Sequence, residues 1–183
     1  MDTCFVMKCF DGGTYDKRYK ETFAPAITAG GAQPIRADEV LGTQPVIDKI
    51  IDKLKSSAVA FAEITEDNAN VFLELGFALA LNIPTVIVCD KGTRPRLPFD
   101  VAHRTVIFYA TQSQSDWEVV SKKIENSIRA ACAESDQSKR VIPESRIVPS
   151  QADNLAWIMK TCLLQCLEAD LQSSEGTSLY SIH

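Results

Sequence analysis

Short apolar runs alternate along this sequence with longer segments that carry one apolar face, and this alternation limits the possible folds more than any other feature. The run from Pro84 to Cys89 is of the β-branched kind that parallel sheets bury on both faces. Strands that alternate with helices form a parallel sheet with right-handed crossovers. We therefore predict a doubly wound five-stranded parallel α/β sheet with strand order 2-1-3-4-5. The predicted strands are Thr3 to Lys8, Gln33 to Arg36, Ala58 to Ile64, Pro84 to Cys89 and Arg104 to Tyr109.

The helix expected after the first strand repeats large apolar residues at i, i+4 spacing, from Tyr15 to Ile27. Pro25 is expected to kink this helix, and Gly30 with Gly31 to end it. Three more helices of the domain are predicted, from Val46 to Leu54, from residue 69 to 80 and from Asp116 to Cys132.

The predicted α/β domain covers residues 1 to 133, and the rest of the chain divides into three parts. Residues 134 to 150 are polar and typical of a linker, residues 151 to 172 form a predicted C-terminal helical appendage, and residues 173 to 183 form a flexible tail. The helix carries an apolar stripe, which predicts that it docks on the domain or builds a homo-oligomer. The stripe consists of Leu155, Ile158, Met159, Cys162, Leu163, Cys166 and Leu167.

Composition argues against two classes of partner. The net charge of −5 and the pI near 5.1 provide no basic surface for a phosphate backbone, so we expect no nucleic acid. The longest apolar stretch, residues 71 to 89, is broken by Glu74, Asn82 and Pro84 into pieces too short to cross a bilayer. We therefore expect no membrane partner.

The six cysteines include no Cys-x-x-Cys pair, and no signal peptide precedes them, so we expect reduced thiols in a cytoplasmic protein. Cys162 and Cys166 have helical spacing, but the chain has only two histidines, His103 and His183. Core packing therefore explains this pair better than metal binding. We predict no metal and no cofactor.

Glu74 is the only charged residue between positions 69 and 80, in an otherwise mostly apolar predicted helix. A lone carboxylate there costs desolvation energy unless it faces a cleft or a partner. Asn68 and Asn70 are expected to open this helix, so that its N-terminal end faces the same place. We therefore predict Glu74 as the reactive, catalytic group. The alternative is a structural glutamate that pairs with Arg36 or Arg104 or turns to solvent.

In an open doubly wound sheet, ligands bind beyond the carboxyl ends of the strands at the switch point, which here lies between strands 1 and 3. Polar residues follow four of the predicted strands and are expected to meet there. The predicted substrate-binding residues are Asp11, Gly12, Gly13, Asp38, Glu63, Asn68, Asn70 and Asp100. Gly12 and Gly13 lack the spacing of a dinucleotide fingerprint or a P-loop, so a phosphate role for them rests on position alone. Asn68 and Asn70 can equally serve only as a helix cap.

Four short motifs resemble the nucleoside 2-deoxyribosyltransferase-like superfamily and the related Toll/interleukin-1-receptor-like nucleotide-processing domains of bacteria. They are the Phe5-Val6-Met7 strand with its following glycines, Arg36-Ala37-Asp38-Glu39, the string from Asn68 to Ala78, and Leu97-Pro98-Phe99-Asp100. The resemblance covers about residues 3 to 110. It implies that Glu74 attacks or stabilises the anomeric carbon of a nucleoside or nucleotide while the base leaves. It also favours a homo-oligomer, because in similar proteins a neighbouring subunit often completes the pocket.

Two positions depart from the pattern of these families. Strand 3 ends in Ala62-Glu63-Ile64-Thr65 where similar proteins commonly carry Ala-Asp-Leu-Thr, and Lys8-Cys9-Phe10 stands where Met-Pro-Phe is usual. The context of Glu74 favours an enzyme that transfers deoxyribose or hydrolyses a nucleotide such as NAD, as Toll/interleukin-1-receptor-like domains of bacterial defence systems do. The two departures favour a non-catalytic nucleotide-binding module that senses a nucleotide or drives assembly.

Overall fold

The computed structural model describes residues 2–36, 46–98 and 101–141. Its strands are β1 (Asp2–Met7), β2 (Ala32–Arg36), β3 (Val59–Glu63), β4 (Thr85–Asp90) and β5 (Val106–Tyr109). Its helices are α1 (Thr14–Arg18), a π-helical segment (Tyr19–Phe23), α2 (Ala24–Ala29), α3 (Val46–Ser56), α4 (Ala69–Ala80) and α5 (Gln114–Val141). These elements belong to one compact unit, Met1–Pro143.

The five strands form one parallel sheet in the order β2-β1-β3-β4-β5, which confirms the predicted fold and its flavodoxin-like strand order. Val6 of β1 pairs with Arg36 on one side and with Phe61 on the other, so β1 is an internal strand of the sheet. Asp90 pairs with Tyr109 at the carboxyl end of β4 and β5. Each predicted strand lies within two residues of the observed bounds.

The two faces of the sheet are covered by different helices. The first helical region and α5 share one core with the sheet, in which Val59 and Phe61 of β3 pack with Ile124 and Ile128 of α5. Helix α4 instead contacts α3, β1 and β3. Since side chains alternate along a strand, Glu63 lies on the same face as Val59 and Phe61. Glu63 and helix α4 therefore belong to opposite layers of the fold.

The helix after β1 is continuous from Thr14 to Ala29 but contains a π-helical turn immediately before Pro25. Within this turn the N–H of Ala24 donates to the carbonyl of Tyr19, five residues earlier. The chain thus accommodates Pro25, which has no N–H to donate, by widening the helix just ahead of it. Gly30 caps the helix and Gly31 adopts a φ of +102°, as expected for its end.

Helix α5 runs to Val141 and so continues nine residues beyond its predicted end at Cys132. It therefore occupies the first part of the predicted linker, which corrects that boundary. The sequence from Glu134 to Val141 is polar but contains no glycine or proline, so nothing in it stops a helix. The predicted C-terminal helix at 151 to 172 and the tail at 173 to 183 lie outside the described residues. No helix in the described part of the chain is long and apolar enough to cross a membrane.

Candidate functional site

The carboxyl ends of the parallel strands meet at one edge of the sheet, where open α/β sheets bind their ligands. The loop after β1 leads into α1 at this edge, and the loop after β3 leads into α4. Because α1 and α4 depart to opposite faces, their starts flank the switch point between β1 and β3. Most of the predicted site residues within the described part of the chain lie along this edge.

Glu63, the last residue of β3, is enclosed at this edge with 2% of its surface exposed. Its Oε1 accepts hydrogen bonds from the Thr65 backbone N–H at 3.3 Å, from the Thr65 hydroxyl, and from the Tyr109 hydroxyl at 2.9 Å. Its Oε2 is buried and has no hydrogen-bond partner within the described residues. Burial raises the pKa of Glu63, although the bonds from Thr65 and Tyr109 act in the opposite direction.

The two hydroxyls that donate to Glu63 are held in turn by Arg18 and Asp90, and the five residues close a ring. Arg18 Nη1 donates to the Tyr109 hydroxyl at 2.8 Å, and Arg18 Nη2 donates to Asp90 Oδ2 at 3.1 Å. The backbone N–H of Asp90 donates to the Thr65 hydroxyl at 2.8 Å. A guanidinium and a backbone N–H only donate, so the hydroxyls accept from them and direct their own protons toward Glu63.

This Glu63 ring, made of Arg18, Glu63, Thr65, Asp90 and Tyr109, ties α1 to the ends of β3, β4 and β5. Glu63 is one of the predicted substrate-binding residues. In the structure its Oε1 accepts the hydrogen bonds of the ring and its Oε2 is buried. The contacts of Glu63 with the described residues therefore hold the fold together. Sequence reasoning missed Arg18 and Tyr109 as site residues, because only the strand order brings them to Glu63.

Asp11 follows β1, and its carboxylate accepts hydrogen bonds from backbone N–H groups of its own loop. Its carboxylate accepts from the backbone N–H of Gly13 at 3.0 Å and from those of Tyr15 and Asp16 at 3.2 Å. Desolvation would raise the pKa of Asp11, but these hydrogen bonds outweigh it and lower the pKa. The N–H of Gly12 donates to the Asp16 carboxylate at 2.7 Å. A phosphate at Gly12 and Gly13 would have to displace these carboxylates from the amides.

Lys8 is a buried cation at the same edge and is not among the predicted site residues. It is 2% exposed, and its Nζ lies 2.6 Å from Asp16 Oδ1 and 3.0 Å from the Cys9 carbonyl oxygen. The Nζ also lies 4.5 Å from the ring centroid of Phe10, which is 43% exposed. A lysine at the end of a buried strand, followed eight residues later by an aspartate in the next helix, was the signal available in the sequence.

Asn68 caps α4, as the sequence predicted. Its Oδ1 accepts from the backbone N–H of Asn70 at 3.0 Å and from that of Val71 at 3.2 Å. Its Nδ2 lies 3.7 Å from Cys9 Sγ, so the cap also ties the start of α4 to the loop after β1. Asn70 is exposed, and its side chain makes no hydrogen bond within the described residues.

Glu74 lies two turns into α4, on the stripe of this helix that faces the protein. Its neighbours at i−3 and i+4, Val71 and Ala78, are buried, and Glu74 itself is 6% exposed. Helical side chains tilt toward the N-terminus of their helix, so its carboxylate leans back toward the edge of the sheet. Glu74 makes no hydrogen bond or ion pair with any described residue, and neither Arg36 nor Arg104 pairs with it.

Burial raises the pKa of Glu74 from its ordinary value to about 7. Glu74 is the sixth residue beyond the cap at Asn68, and the helix dipole acts chiefly within the first turn. Desolvation therefore outweighs the helix dipole in setting the pKa of Glu74. The carboxylate titrates near neutral pH, where it can serve as an anion or as an acid and base.

Asp38 and Asp100, the remaining predicted binding residues, lie outside the described residues. Among the residues that the structure describes, no group of His, Cys, Asp and Glu side chains is arranged to hold a metal ion. No protein family model and no curated protein matches the chain.

We predict that Tyr109→Phe lowers the free energy of unfolding by roughly 2 to 3 kcal/mol, because it leaves Arg18 and Glu63 each short of a buried partner. Tyr15→Phe is the matched control. The Tyr15 hydroxyl donates to Glu66 at 2.6 Å, but Glu66 is exposed and water can replace the lost donor. That variant should lose less than about 1 kcal/mol in urea unfolding. Equal losses of unfolding free energy in the two variants would contradict the stabilising role of the Glu63 ring.

We also predict that Glu74→Gln becomes progressively more stable than the wild type as pH rises from 5 to 8. The folded-state pKa of about 7 lies above the unfolded value, so the folded wild type holds a proton that the unfolded chain has released. Wild-type stability therefore falls as pH rises through this window, whereas the neutral amide does not titrate. The difference in unfolding free energy should grow by roughly 2 to 3 kcal/mol. Parallel stability curves for the two proteins would contradict the raised pKa.

Proposed function

We propose that the protein cleaves or transfers at the N-glycosidic bond of a nucleoside or nucleotide, with Glu74 as the catalytic carboxylate. The observation that carries this proposal is the state of Glu74: it is buried, it has no partner in the described residues, and it leans toward the edge of the sheet where ligands bind. A glutamate kept in this state at a cost in stability is typical of a reactive group.

The chemistry suits such a residue. When the C–N bond breaks, its electron pair leaves with the base and positive charge develops at the anomeric carbon and the ring oxygen. A carboxylate within about 3 Å stabilises this charge or captures the carbon in an ester. Water or a second base then supplies the new bond to the anomeric carbon. Glu74 performs this step only when ionised, so the activity is expected to decline below about pH 7.

A second candidate function is a nucleotide-binding module without turnover, and two features of the site support it. Glu63 is committed to internal hydrogen bonds, and the amides of the loop after β1 are already satisfied by Asp11 and Asp16. Neither group is open to a sugar or phosphate in this conformation. Under this alternative, ligands bind to the protein without release of free base.

The two functions are separated by incubating the full chain with nucleosides, deoxynucleosides, mononucleotides and NAD, with and without a second free base. Release of free base is followed by chromatography. Under the enzyme proposal, Glu74→Gln lowers the rate by roughly 10²-fold or more while ligand binding, measured by calorimetry, persists. Wild-type turnover should also fall about tenfold per pH unit below pH 7.

Glu118→Gln is the matched control, since it makes the same chemical change at an exposed position on α5. It should turn over like the wild type. Undiminished base release in Glu74→Gln would rule out the proposed mechanism. Binding by the wild type without release of base from any substrate would support the second candidate.

A further inference from the structure

Arg94, in the connection between β4 and β5, holds the segment that leads from β3 into α4 by three contacts. Its Nε donates to the carbonyl oxygen of Thr65 at 2.9 Å, and its Nη2 pairs with the carboxylate of Asp67. Its guanidinium carbon lies 5.7 Å from the ring centroid of Phe72, near the start of α4. The Arg94 side chain is only 10% exposed. The guanidinium of Arg94 therefore contacts the segment before α4 and the first turn of α4 at the same time.

Arg94 is itself anchored to the end of β4. Its backbone N–H donates to the carbonyl oxygen of Asp90 at 2.9 Å, and Asp90 is a member of the Glu63 ring. Thr65 is consequently fixed on two sides: its hydroxyl and N–H belong to the ring, and its carbonyl accepts from Arg94. Arg94 thus connects the start of α4 to the end of β4. The Asn68 cap does not make this connection, because it contacts the loop after β1.

We propose that Arg94 is a positioning residue for Glu74, which it affects only through the first turns of α4. Phe72 precedes Glu74 by two residues, so a shift of this part of the helix moves the carboxylate and admits water to it. The charge of Arg94 plays no direct part, because burial is the cause of the raised pKa of Glu74. The expected effect of Arg94 on the rate of base release rests on the proposed function. The expected effect of Arg94 on the burial and pKa of Glu74 does not.

The three contacts need an arginine rather than any cation. A guanidinium donates from Nε and Nη in fixed directions and presents a flat face to an aromatic ring, whereas an ammonium acts as a point charge. A lysine at position 94 can reach Asp67 but cannot donate to Thr65 and cover Phe72 in the same geometry. Arg94→Lys therefore keeps the charge while it loosens the entry to α4.

The test compares Arg94→Lys and Arg94→Met with Asp67→Asn, each made alone and in combination with Glu74→Gln. In each background, the pH dependence of the stability difference between the protein that retains Glu74 and its Glu74→Gln counterpart gives the titration midpoint of Glu74. Both Arg94 variants should lower this midpoint by about one pH unit, because water reaches the carboxylate. Asp67 is 87% exposed, so Asp67→Asn should leave the midpoint unchanged.

A second readout applies to base release. Both Arg94 variants should lower kcat about tenfold with less than about a threefold change in KM, since a displaced carboxylate weakens the transition state more than substrate binding. An unchanged midpoint in Arg94→Lys and Arg94→Met would overturn the inference, whatever the activity. If Arg94→Met does not fold, Arg94→Lys alone decides by the same criterion. A lowered midpoint in a protein that releases no base would support the role of Arg94 and contradict the proposed function instead.

Discussion

The carboxylate of Glu63 is the interaction on which the carboxyl edge of this sheet depends. It collects hydrogen bonds from Thr65 and Tyr109, and through them it fixes Asp90 and Arg18. Each of these buried donors would cost about 1 to 3 kcal/mol if it lost its acceptor. The edge of β3, β4 and β5 is therefore held as one unit, to which α1 is attached by Arg18.

The length of the Glu63 side chain allows it to reach Tyr109 from a strand that is not adjacent. Strands β3 and β5 are separated by β4, a distance of about 10 Å between strand axes, and Glu63 meets Tyr109 across it. An aspartate would be one methylene shorter. The ring therefore needs the longer reach of a glutamate at position 63.

The two buried glutamates differ in their hydrogen bonds. Among the described residues, Oε1 of Glu63 accepts from Thr65 and Tyr109 while its Oε2 has no partner, whereas Glu74, on the other face of the sheet, has no donor to either oxygen. Burying most of a carboxylate without a hydrogen-bond donor lowers stability, and a single donor nearby would reduce that cost. The absence of a donor at Glu74 among these residues leaves its carboxylate available for a ligand, which is the basis for the proposal that it is the reactive group.

The sequence was sufficient to predict the sheet order, the strand bounds to within two residues and the cap at Asn68. Each of these follows from local patterns, namely the alternation of strands with helices and a capping residue. The Glu63 ring could not be predicted in the same way, because residues 18, 63, 65, 90 and 109 meet only through strand register and the crossover of α1. The π-helical turn before Pro25 and the extension of α5 to Val141 likewise depend on packing and on the absence of a stop signal.

The measurement that tests the account most directly is a carbon-13 titration of the Glu74 side-chain carboxyl in the wild-type protein, with the signal assigned by its loss in Glu74→Gln. A largely buried carboxylate without a partner should titrate with a midpoint near pH 7, and a bound nucleoside or nucleotide should displace that midpoint. A midpoint close to that of an exposed glutamate, about 4.3, or one that none of these ligands displaces, would contradict the proposal that Glu74 is the reactive group.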